Sequence, residues 1–379
     1  MFDVLISVII AFTITYFAIP AIITVAERKK LFDVPDERKI HQLPIPSLGG
    51  LGIFAGMLIS CMVFIPIHVS PELQYFFAAS IVIFFLGIKD DILIISPVKK
   101  FIGQVLAAFL IIYFGGLQIT SMQGVLNIYE LPEMFSLLLS YFTILVIINS
   151  FNLIDGIDGL AASLGIMVTT LCGIYFIQTN EPAYAILAFA TAGSILAFLI
   201  FNFYPAKIFM GDTGSLLIGL VSAVLVVKFL LVANSPASPV PASGAPAIAI
   251  SLLMIPLMDT LRVFSIRILN RRSPFSPDRN HLHHILLDRG MTHPQITIAL
   301  VATNLGVVLF VYFLSKMNVN STLLILSIVA LYFSATGILY FTRKKSRWFV
   351  APVRGNDNSQ GKKSKIVPLT KDSVLEEKN

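Results

Sequence analysis

The sequence contains few charged residues. Only 13% of its 379 residues are Asp, Glu, Lys or Arg, whereas 56% are hydrophobic. A soluble domain has about 25% charged residues, because its surface faces water. This shortage excludes an ordinary soluble domain and indicates that most of the surface faces lipid. We therefore predict an all-α polytopic membrane protein.

Cysteine is almost absent, and so are the common nucleotide-binding loops. Cys61 and Cys172 both lie within apolar runs, which excludes a disulfide framework and a cysteine-rich zinc site. No GxxxxGK[ST] loop and no kinase glycine loop is present, so a phosphate ligand would be held in another way. The first apolar run, Phe2 to Val25, lacks a small-residue cleavage site and is expected to remain as a membrane helix.

Long apolar runs dominate instead. Runs of about 17 to 25 residues cross a bilayer, and the sequence predicts about eleven transmembrane helices. The predicted spans are 3–25, 48–66, 73–89, 101–117, 134–151, 159–177, 184–202, 213–233, 246–266, 295–314 and 321–341.

Basic residues predict the orientation. Of the 27 Lys and Arg, 25 fall in alternate loops and in the C-terminal tail. Positively charged loops stay inside the cell, so this side is expected to be cytoplasmic, with the N-terminus outside and the C-terminus in the cytoplasm. We predict a transmembrane domain over residues 1–342 and a basic, polar, disordered tail over 343–379.

Carboxylates follow two of the apolar runs. Asp90 and Asp91 repel each other unless a cation or metal neutralises them, although a solvated helix end is the alternative. Asn152, Asp155 and Asp158 recur every third residue, which predicts one face of a helical turn. Oxygen ligands of this kind suit Mg²⁺ or Mn²⁺ rather than zinc, although a polar turn with an Asp cap is the alternative.

Three further segments carry polar residues at the same predicted helix ends. Asp212 could cap the eighth span or hold a metal at its positive end. His281, His283 and His284 lie beside Arg279, and this combination favours a phosphate-rich ligand over zinc, because arginines repel a cation. A solvated loop is the alternative reading. Basic residues before Gly49-Gly50 are compatible with an anion site, but a positive-inside loop predicts the same charges.

Carboxylates for a hard metal, helix N-termini and Arg/His groups therefore converge on one membrane face. Together they are suited to phosphoryl transfer, in which positioning and charge neutralisation supply most of the rate. A secondary transporter is the rival reading, but transport sites usually lie near the bilayer midplane. A membrane anchor for partner enzymes would explain the basic tail but not the acidic clusters.

Five motifs resemble those of the polyprenyl-phosphate N-acetylhexosamine-1-phosphate transferases (glycosyltransferase family 4), nearest to the WecA/TagO-type branch and related to the MraY branch. They are RKIHQLPIPSLGG, GIKDDI, NSFNLIDGIDGLA, IFMGDTGSLLIG and PFSPDRNHLHH, between about Asp33 and Pro294.

The resemblance implies an enzyme of the bacterial plasma membrane whose active site faces the cytoplasm. The phosphate of undecaprenyl phosphate would attack the β-phosphorus of a UDP-N-acetylhexosamine, releasing UMP and leaving the lipid-linked sugar diphosphate that initiates cell-envelope polysaccharide synthesis. The His-Leu-His-His pattern resembles the branch that uses UDP-GlcNAc. UDP-MurNAc-pentapeptide, UDP-QuiNAc, UDP-FucNAc and UDP-GalNAc are the alternative donors.

The resemblance also implies roles for individual residues. Asn152 and Asp212 would hold Mg²⁺, for which Mn²⁺ can substitute, while Asp155 and Asp158 would contact the nucleotide. Asp90 and Asp91 would face the lipid phosphate. The remaining substrate-binding candidates are Lys39, Ser47, Arg279, His281, His283 and His284, with Asn202 and Phe209 at the uridine. Membrane lipid is an expected partner, a homodimer is possible in such enzymes, and no nucleic-acid partner is expected.

Asp90 has two alternative roles. The family implies a base that deprotonates the lipid phosphate. However, a phosphate monoester has a second pKa of about 6, so much of it is already a dianion at neutral pH. Our hypothesis is that Asp90 positions the lipid phosphate or its metal.

Overall fold

The computed structural model describes residues 1–29, 31–33, 45–66, 68–93, 95–271, 281–342, 348–350 and 366–368. The helices are α1 (Phe2–Lys29), α2 (Gly49–Phe64), α3 (Leu73–Ile92), α4 (Pro97–Phe109), α5 (Glu133–Ile154), α6 (Leu160–Gln178), α7 (Pro182–Asn202), α8 (Gly211–Val232), α9 (Ala245–Leu252), α10 (Met254–Leu269), α11 (Leu282–Leu287), α12 (His293–Lys316) and α13 (Ser321–Phe341). A π-helical turn, Leu110–Phe114, continues α4.

Two short antiparallel strand pairs accompany the helices. β1 (Phe32–Asp33) pairs with β2 (Ile45–Pro46), and β3 (Trp348–Val350) pairs with β4 (Ile366–Pro368). The candidates Lys39 and Arg279 lie outside the described residues, as does most of the predicted tail.

Every predicted span coincides with a helix or a pair of helices, and the all-α polytopic class is confirmed. Within the described residues, eight helices are long and apolar enough to cross a membrane, or nine if α9 and α10 form one span bent by 69°. With 16 residues, α2 is a shorter apolar helix. The count of eleven and the orientation remain predictions.

Helix α8 lies at the centre of the bundle. In its most apolar window 83% of residues are buried, compared with 22% for α1 and for α13. It packs against α2, α3, α5 and α6. Lipid tails are as apolar as leucine, so helices associate in a membrane through close packing of small residues rather than through the hydrophobic effect.

Glycines bring the backbone of α8 into contact with its neighbours. A Cβ on Gly87 of α3 would overlap the backbone of Thr213, and a Cβ on Gly50 of α2 would overlap Gly214. The N–H of Gly50 also donates to the carbonyl of Met210, 2.9 Å away. These contacts fix the N-terminus of α8 between the ends of α2 and α3.

Asn304 of α12 supports the break between α9 and α10. Its Oδ1 accepts the N–H of Ile255 at 2.9 Å, and its Nδ2 donates to the carbonyls of Ser251 and Leu252 at 3.1 and 3.2 Å. A membrane helix tolerates a break when a neighbouring helix satisfies the backbone groups that the break releases. The side chain of Asn304 does this, and α10 can turn away from the direction of α9.

The bundle end that carries Lys228 has its own paired charges. The ammonium of Lys228 lies 3.3 Å from Glu181 and 3.9 Å from Glu72, and 4.4 Å from the centre of the Tyr184 ring. These charges neutralise one another at the starts of α3 and α7 and the end of α8, as partly buried ions must.

We expect Gly87→Ala to lower the stability of the protein by about 1–3 kcal/mol, because the added methyl group must push α3 away from the Thr213 backbone. Thermal unfolding in detergent measures the change. Gly306→Ala in α12 is the matched control, because a Cβ there meets nothing within 4 Å and alanine is the better helix former. Equal midpoints for the two variants would contradict the packing described here.

Candidate active site

The C-terminal ends of α3 and α5 meet the starts of α4 and α8 at one end of the bundle. Their side chains form a group of Asp90, Asp91, Asn152, Asp155 and Asp212 with Lys100, which we call the acidic cluster. The residues come from three sequence motifs and from one segment that the motifs do not include.

Asp91 caps α8 from another helix. Its Oδ1 accepts the N–H of Asp212 at 2.7 Å, and its Oδ2 accepts the N–H and the hydroxyl of Thr213 at 3.0 and 2.6 Å. The first N–H groups of a helix lack partners within it and attract negative charge. The alternative in which Asp212 only caps its own helix is therefore wrong: Asp212 occupies the first turn, and Asp91 provides the cap.

Gly211 makes this close approach possible. It has a φ of +71°, in the left-handed region that glycine adopts without strain. A Cβ there would also collide with the carbonyl oxygen of Ser47 and the carboxylate of Asp91. The candidate Ser47 thus lies beside the acidic cluster, with its backbone against the start of α8.

Lys100 lies between the oxygen atoms of the acidic cluster. Its ammonium group donates to Asp212, lies 3.1 Å from Asp90 Oδ2 and 3.3 Å from Asn152 Oδ1. Asn152 Nδ2 in turn donates to Asp212 Oδ1 at 2.6 Å and to Ser215 Oγ at 2.9 Å. Asn152 and Asp212, the two predicted metal ligands, are therefore in direct contact.

Lys100 was not predicted as a site residue, because in the sequence it is one of the basic residues of a predicted cytoplasmic loop. The available signal was its position at the start of an apolar run, nine residues after Asp91. Its neighbour Asp90 is anchored at both oxygens, since Oδ1 accepts the N–H of Ile95 at 2.8 Å and Oδ2 pairs with Lys100.

Asn152, Asp155 and Asp158 do not share one helical face, so that prediction is wrong. Helix α5 ends at Ile154, Asp155 follows as its C-terminal cap residue, and Gly159 has a φ of +77°. Asp158 turns towards other elements: it accepts the N–H of Ala206 at 3.2 Å. Its carboxylate also lies 3.5 Å from His293 Nδ1 at the start of α12.

Asp155 lies where negative charge accumulates. Burial, followed by the charges of Asp212, Asp91 and Asp158, raises the pKa of Asp155 to about 8. A carboxyl group in this position binds a proton at neutral pH unless a cation replaces it. The cluster thus favours cations despite the presence of Lys100.

Asn202 and Phe209 link the loops around the cluster. Asn202 Oδ1 accepts the N–H of Gly159 at 3.0 Å, and its Nδ2 donates to the carbonyl of Ile208 at 2.9 Å. The N–H of Phe209 donates to the carbonyl of Pro46 at 2.7 Å. The amide of Asn202 is therefore used for holding the α5–α6 turn against the α7–α8 loop.

Residues 281–284, which we call the histidine segment, pack onto the α5–α6 turn. His281 precedes α11, and its ring stacks on that of His283, with centres 5.6 Å apart and planes at 9°. His284 lies 4.3 Å from His283 between ring centres. A Cβ on Gly156 would overlap the His283 ring, so glycine at this position lets the histidines reach the turn.

Burial gives His283 a fixed charge state. Desolvation, together with the neighbouring His284, lowers the pKa of His283 to about 3, so the ring is neutral at physiological pH. A neutral ring offers hydrogen bonds rather than positive charge. Of the three histidines, His283 therefore contributes shape and hydrogen bonding.

Two residues of this region were not predicted from the sequence as site residues. Asp259 of α10 is buried and bonds to His281 Nδ1 at 2.8 Å, and His293 contacts Asp158. Asp259 lies within the predicted span 246–266, and an acidic residue within a span is itself a functional signal. His293 carried no comparable signal.

The family model and the relatives that match this chain point to the same family. Residues 73–230, which contain the whole acidic cluster, match the model described as Glycosyl transferase family 4. The chain is 32% identical to the undecaprenyl-phosphate alpha-N-acetylglucosaminyl 1-phosphate transferase of Escherichia coli (strain K12), over 74% of this chain and 76% of the relative.

Two other relatives come from other bacteria. The decaprenyl-phosphate N-acetylglucosaminephosphotransferase of Mycobacterium tuberculosis (strain CDC 1551 / Oshkosh) is 31% identical over 78% of each chain. The probable undecaprenyl-phosphate N-acetylglucosaminyl 1-phosphate transferase of Bacillus subtilis (strain 168) is 29% identical over 86% of this chain and 89% of the relative.

The two neighbouring carboxylates Asp91 and Asp155 are expected to have opposite effects on stability. Asp91→Asn places an amide donor where a carboxylate accepts backbone N–H groups, and should lower the free energy of unfolding by about 1–3 kcal/mol. Thermal unfolding in detergent with EDTA measures this change.

Asp155→Asn is the control and should raise the melting temperature. The folded state keeps a proton on Asp155 up to a pKa of about 8, whereas the unfolded chain loses that proton near pH 4. The stability of the wild type therefore falls as pH rises between these values, and the advantage of Asp155→Asn should grow over the same range. A destabilised Asp155→Asn variant, or an unaffected Asp91→Asn variant, would contradict these assignments.

Proposed function

The chain belongs to the polyprenyl-phosphate N-acetylhexosamine-1-phosphate transferases of glycosyl transferase family 4, and we propose that it transfers GlcNAc-1-phosphate from UDP-GlcNAc to undecaprenyl phosphate. UMP is the second product. The names of the relatives support N-acetylglucosamine 1-phosphate as the transferred group and undecaprenyl phosphate as the acceptor. The structural observation that carries the proposal is the acidic cluster, in which carboxylates and an amide gather around the single ammonium of Lys100.

The position of the cluster suits one soluble and one lipid substrate. It lies at the helix ends that the distribution of basic residues assigns to the cytoplasm, in the bacterial plasma membrane. Directly after Lys100, α4 exposes Phe101 and Ile102, whose exposed fractions are 46% and 61%. Apolar side chains at this level face lipid, so the head group of a polyprenyl phosphate can reach Lys100 from the bilayer while the nucleotide sugar enters from water.

The residues also fit a bound Mg²⁺. Hard cations take oxygen ligands, and Mg²⁺ in particular binds through one or two carboxylates together with substrate phosphates. Asn152 and Asp212 supply such oxygens, and Asp155 lies where a cation would replace its proton. Within the described residues, no three His, Cys, Asp or Glu side chains form a metal site by themselves, so diphosphate oxygens would complete the shell. When bound, the metal would neutralise charge on the diphosphate.

The reaction needs one bond to form and one to break. An oxygen of the lipid phosphate bonds to the β-phosphorus of the donor, and the bond from that phosphorus to the bridging oxygen of UMP breaks. Lys100 is placed to neutralise phosphate oxygens, because its ammonium already lies among anionic groups. The neutral His283 and its neighbours would hydrogen-bond the donor at the α5–α6 turn.

The geometry of Asp90 supports positioning over proton abstraction. One carboxylate oxygen accepts a backbone N–H and the other pairs with Lys100. Both contacts hold the carboxyl group in place, although burial and a hydrogen bond with Asp212 raise the pKa of Asp90. We propose that Asp90 keeps Lys100 directed towards the lipid phosphate, which is already largely a dianion at neutral pH.

Purified protein in detergent with undecaprenyl phosphate and Mg²⁺ is expected to release UMP from UDP-GlcNAc and to stop when EDTA is added. The measurement is UMP release across a panel of UDP-GlcNAc, UDP-GalNAc, UDP-QuiNAc, UDP-FucNAc and UDP-MurNAc-pentapeptide. If the protein uses only another UDP-sugar, that sugar is the donor and the proposed reaction type stands. No UMP from any donor, with lipid and metal present, would reject the transferase proposal.

Asp90→Asn tests the role of Asp90 through the pH dependence of the rate. If Asp90 positions Lys100, the loss of kcat should be of similar size from about pH 6 to about pH 9. If Asp90 is a base, activity of the variant should recover at high pH, where the lipid phosphate is fully ionised without help. Asp3→Asn, at the exposed start of α1, is the control and should leave the profile unchanged.

A further inference from the structure

Four hydrogen-bond donors converge on the buried carboxylate of Asp259 in α10. Oδ2 lies 2.8 Å from His281 Nδ1. Oδ1 accepts the guanidinium of Arg262 at 2.9 Å, the N–H of Leu282 at 2.9 Å and the hydroxyl of Tyr332 at 3.3 Å. The side chain of Asp259 is 1% exposed. We call this group the Asp259 network.

A buried carboxylate in a membrane bundle needs neutralising partners, and Arg262 alone would satisfy the charge. The other donors show that the network does more than pair two charges. His281 and the N–H of Leu282 belong to the start of α11, and Tyr332 belongs to α13. The network therefore attaches the histidine segment to two membrane helices at one point.

The hydrogen bond to Asp259 determines which ring nitrogen of His281 is available to a ligand. A carboxylate at Nδ1 accepts a hydrogen bond from the N–H of that nitrogen, which leaves Nε2 as the atom available to a ligand. The His281 ring is also nearly parallel to that of His283, at 5.6 Å, and His283 lies against Gly156 of the α5–α6 turn. Within the described residues, the buried Nδ1 of His283 has no hydrogen-bond partner.

We propose that Asp259 is a positioning residue for the transfer reaction. It holds His281 in the Nδ1–H tautomer and keeps the His281–His283 stack on the α5–α6 turn, beside Asp155, where the nucleotide sugar binds. The inference rests on the proposed function, since it assumes that the histidine segment contacts the donor. Asp259 itself touches neither substrate.

A double-mutant cycle tests this assignment. Asp259→Asn should lower kcat/KM for the UDP-sugar by about 10- to 100-fold, the range found when hydrogen-bond partners of metal-ligating histidines are removed, with little change in KM for the lipid. His281→Ala should lose at least as much. If Asp259 acts through His281, the double variant should match His281→Ala within about twofold, whereas additive losses would overturn the proposal.

Tyr332→Phe is the matched control. It removes a hydrogen bond to Oδ1 of the same carboxylate but leaves the Oδ2–His281 bond intact. Its melting temperature should fall slightly, while kcat/KM should stay within about threefold of the wild type. A loss as large as that of Asp259→Asn would mean that the network only supports the fold, and would overturn the proposal.

A measurement on the wild-type protein does not depend on whether Asp259→Asn folds. The ¹⁵N spectrum of histidine-labelled protein should show His281 protonated at Nδ1, with the signal assigned by its absence in His281→Ala. A neutral ring protonated only at Nε2 would overturn the proposal.

The transferase function and the role of Asp259 can be rejected separately. UMP release by the wild type together with additive losses in the cycle would reject the role of Asp259 and keep the transferase function. No UMP release by the wild type would reject the transferase function and, with it, the positioning role.

Discussion

Asp91 joins the end of α3 to the N-terminus of α8 through three hydrogen bonds. Helix α8 is the most buried of the candidate spans, and N–H groups left unpaired inside the protein at its start would be costly. The same bonds place Asp212 beside Asn152 and Lys100. The position of the acidic cluster therefore depends on a cap supplied by a different helix, and on glycines that let the backbones approach.

The acidic cluster has an excess of negative charge that the protein compensates only in part. Lys100 pairs with Asp90 and Asp212, yet burial, followed by the neighbouring carboxylates, still raises the pKa of Asp155 to about 8. A site with this balance favours positively charged ligands. Lys100 has a suitable position to exchange carboxylate partners for phosphate oxygens as the substrates enter.

The C-terminal helices support the α5–α6 turn and the histidine segment. Thr297 and His293 of α12 contact Asp158, and Asn304 of the same helix stabilises the bend that precedes α10. From α10, Asp259 reaches the histidine segment. The first eight helices thus supply carboxylates and Lys100, while the last four supply the groups that place the histidines against the α5–α6 turn.

The amino-acid sequence by itself determined the helical membrane class, the positions of the apolar spans, the family and most of the acidic and histidine residues at one end. These properties depend on local hydropathy and on short motifs, which are read within one segment. Only the tertiary structure decided that Asp91 caps α8, that Lys100 lies inside the cluster, that Asp158 faces α12 and that Asp259 holds His281. Two of these contacts join residues that are near each other in the chain: Asp259–His281, 22 residues apart, and Lys100–Asp90. The other contacts join segments far apart in the chain. Such pairings follow from how the helices pack around α8, and no local pattern of residues specifies them.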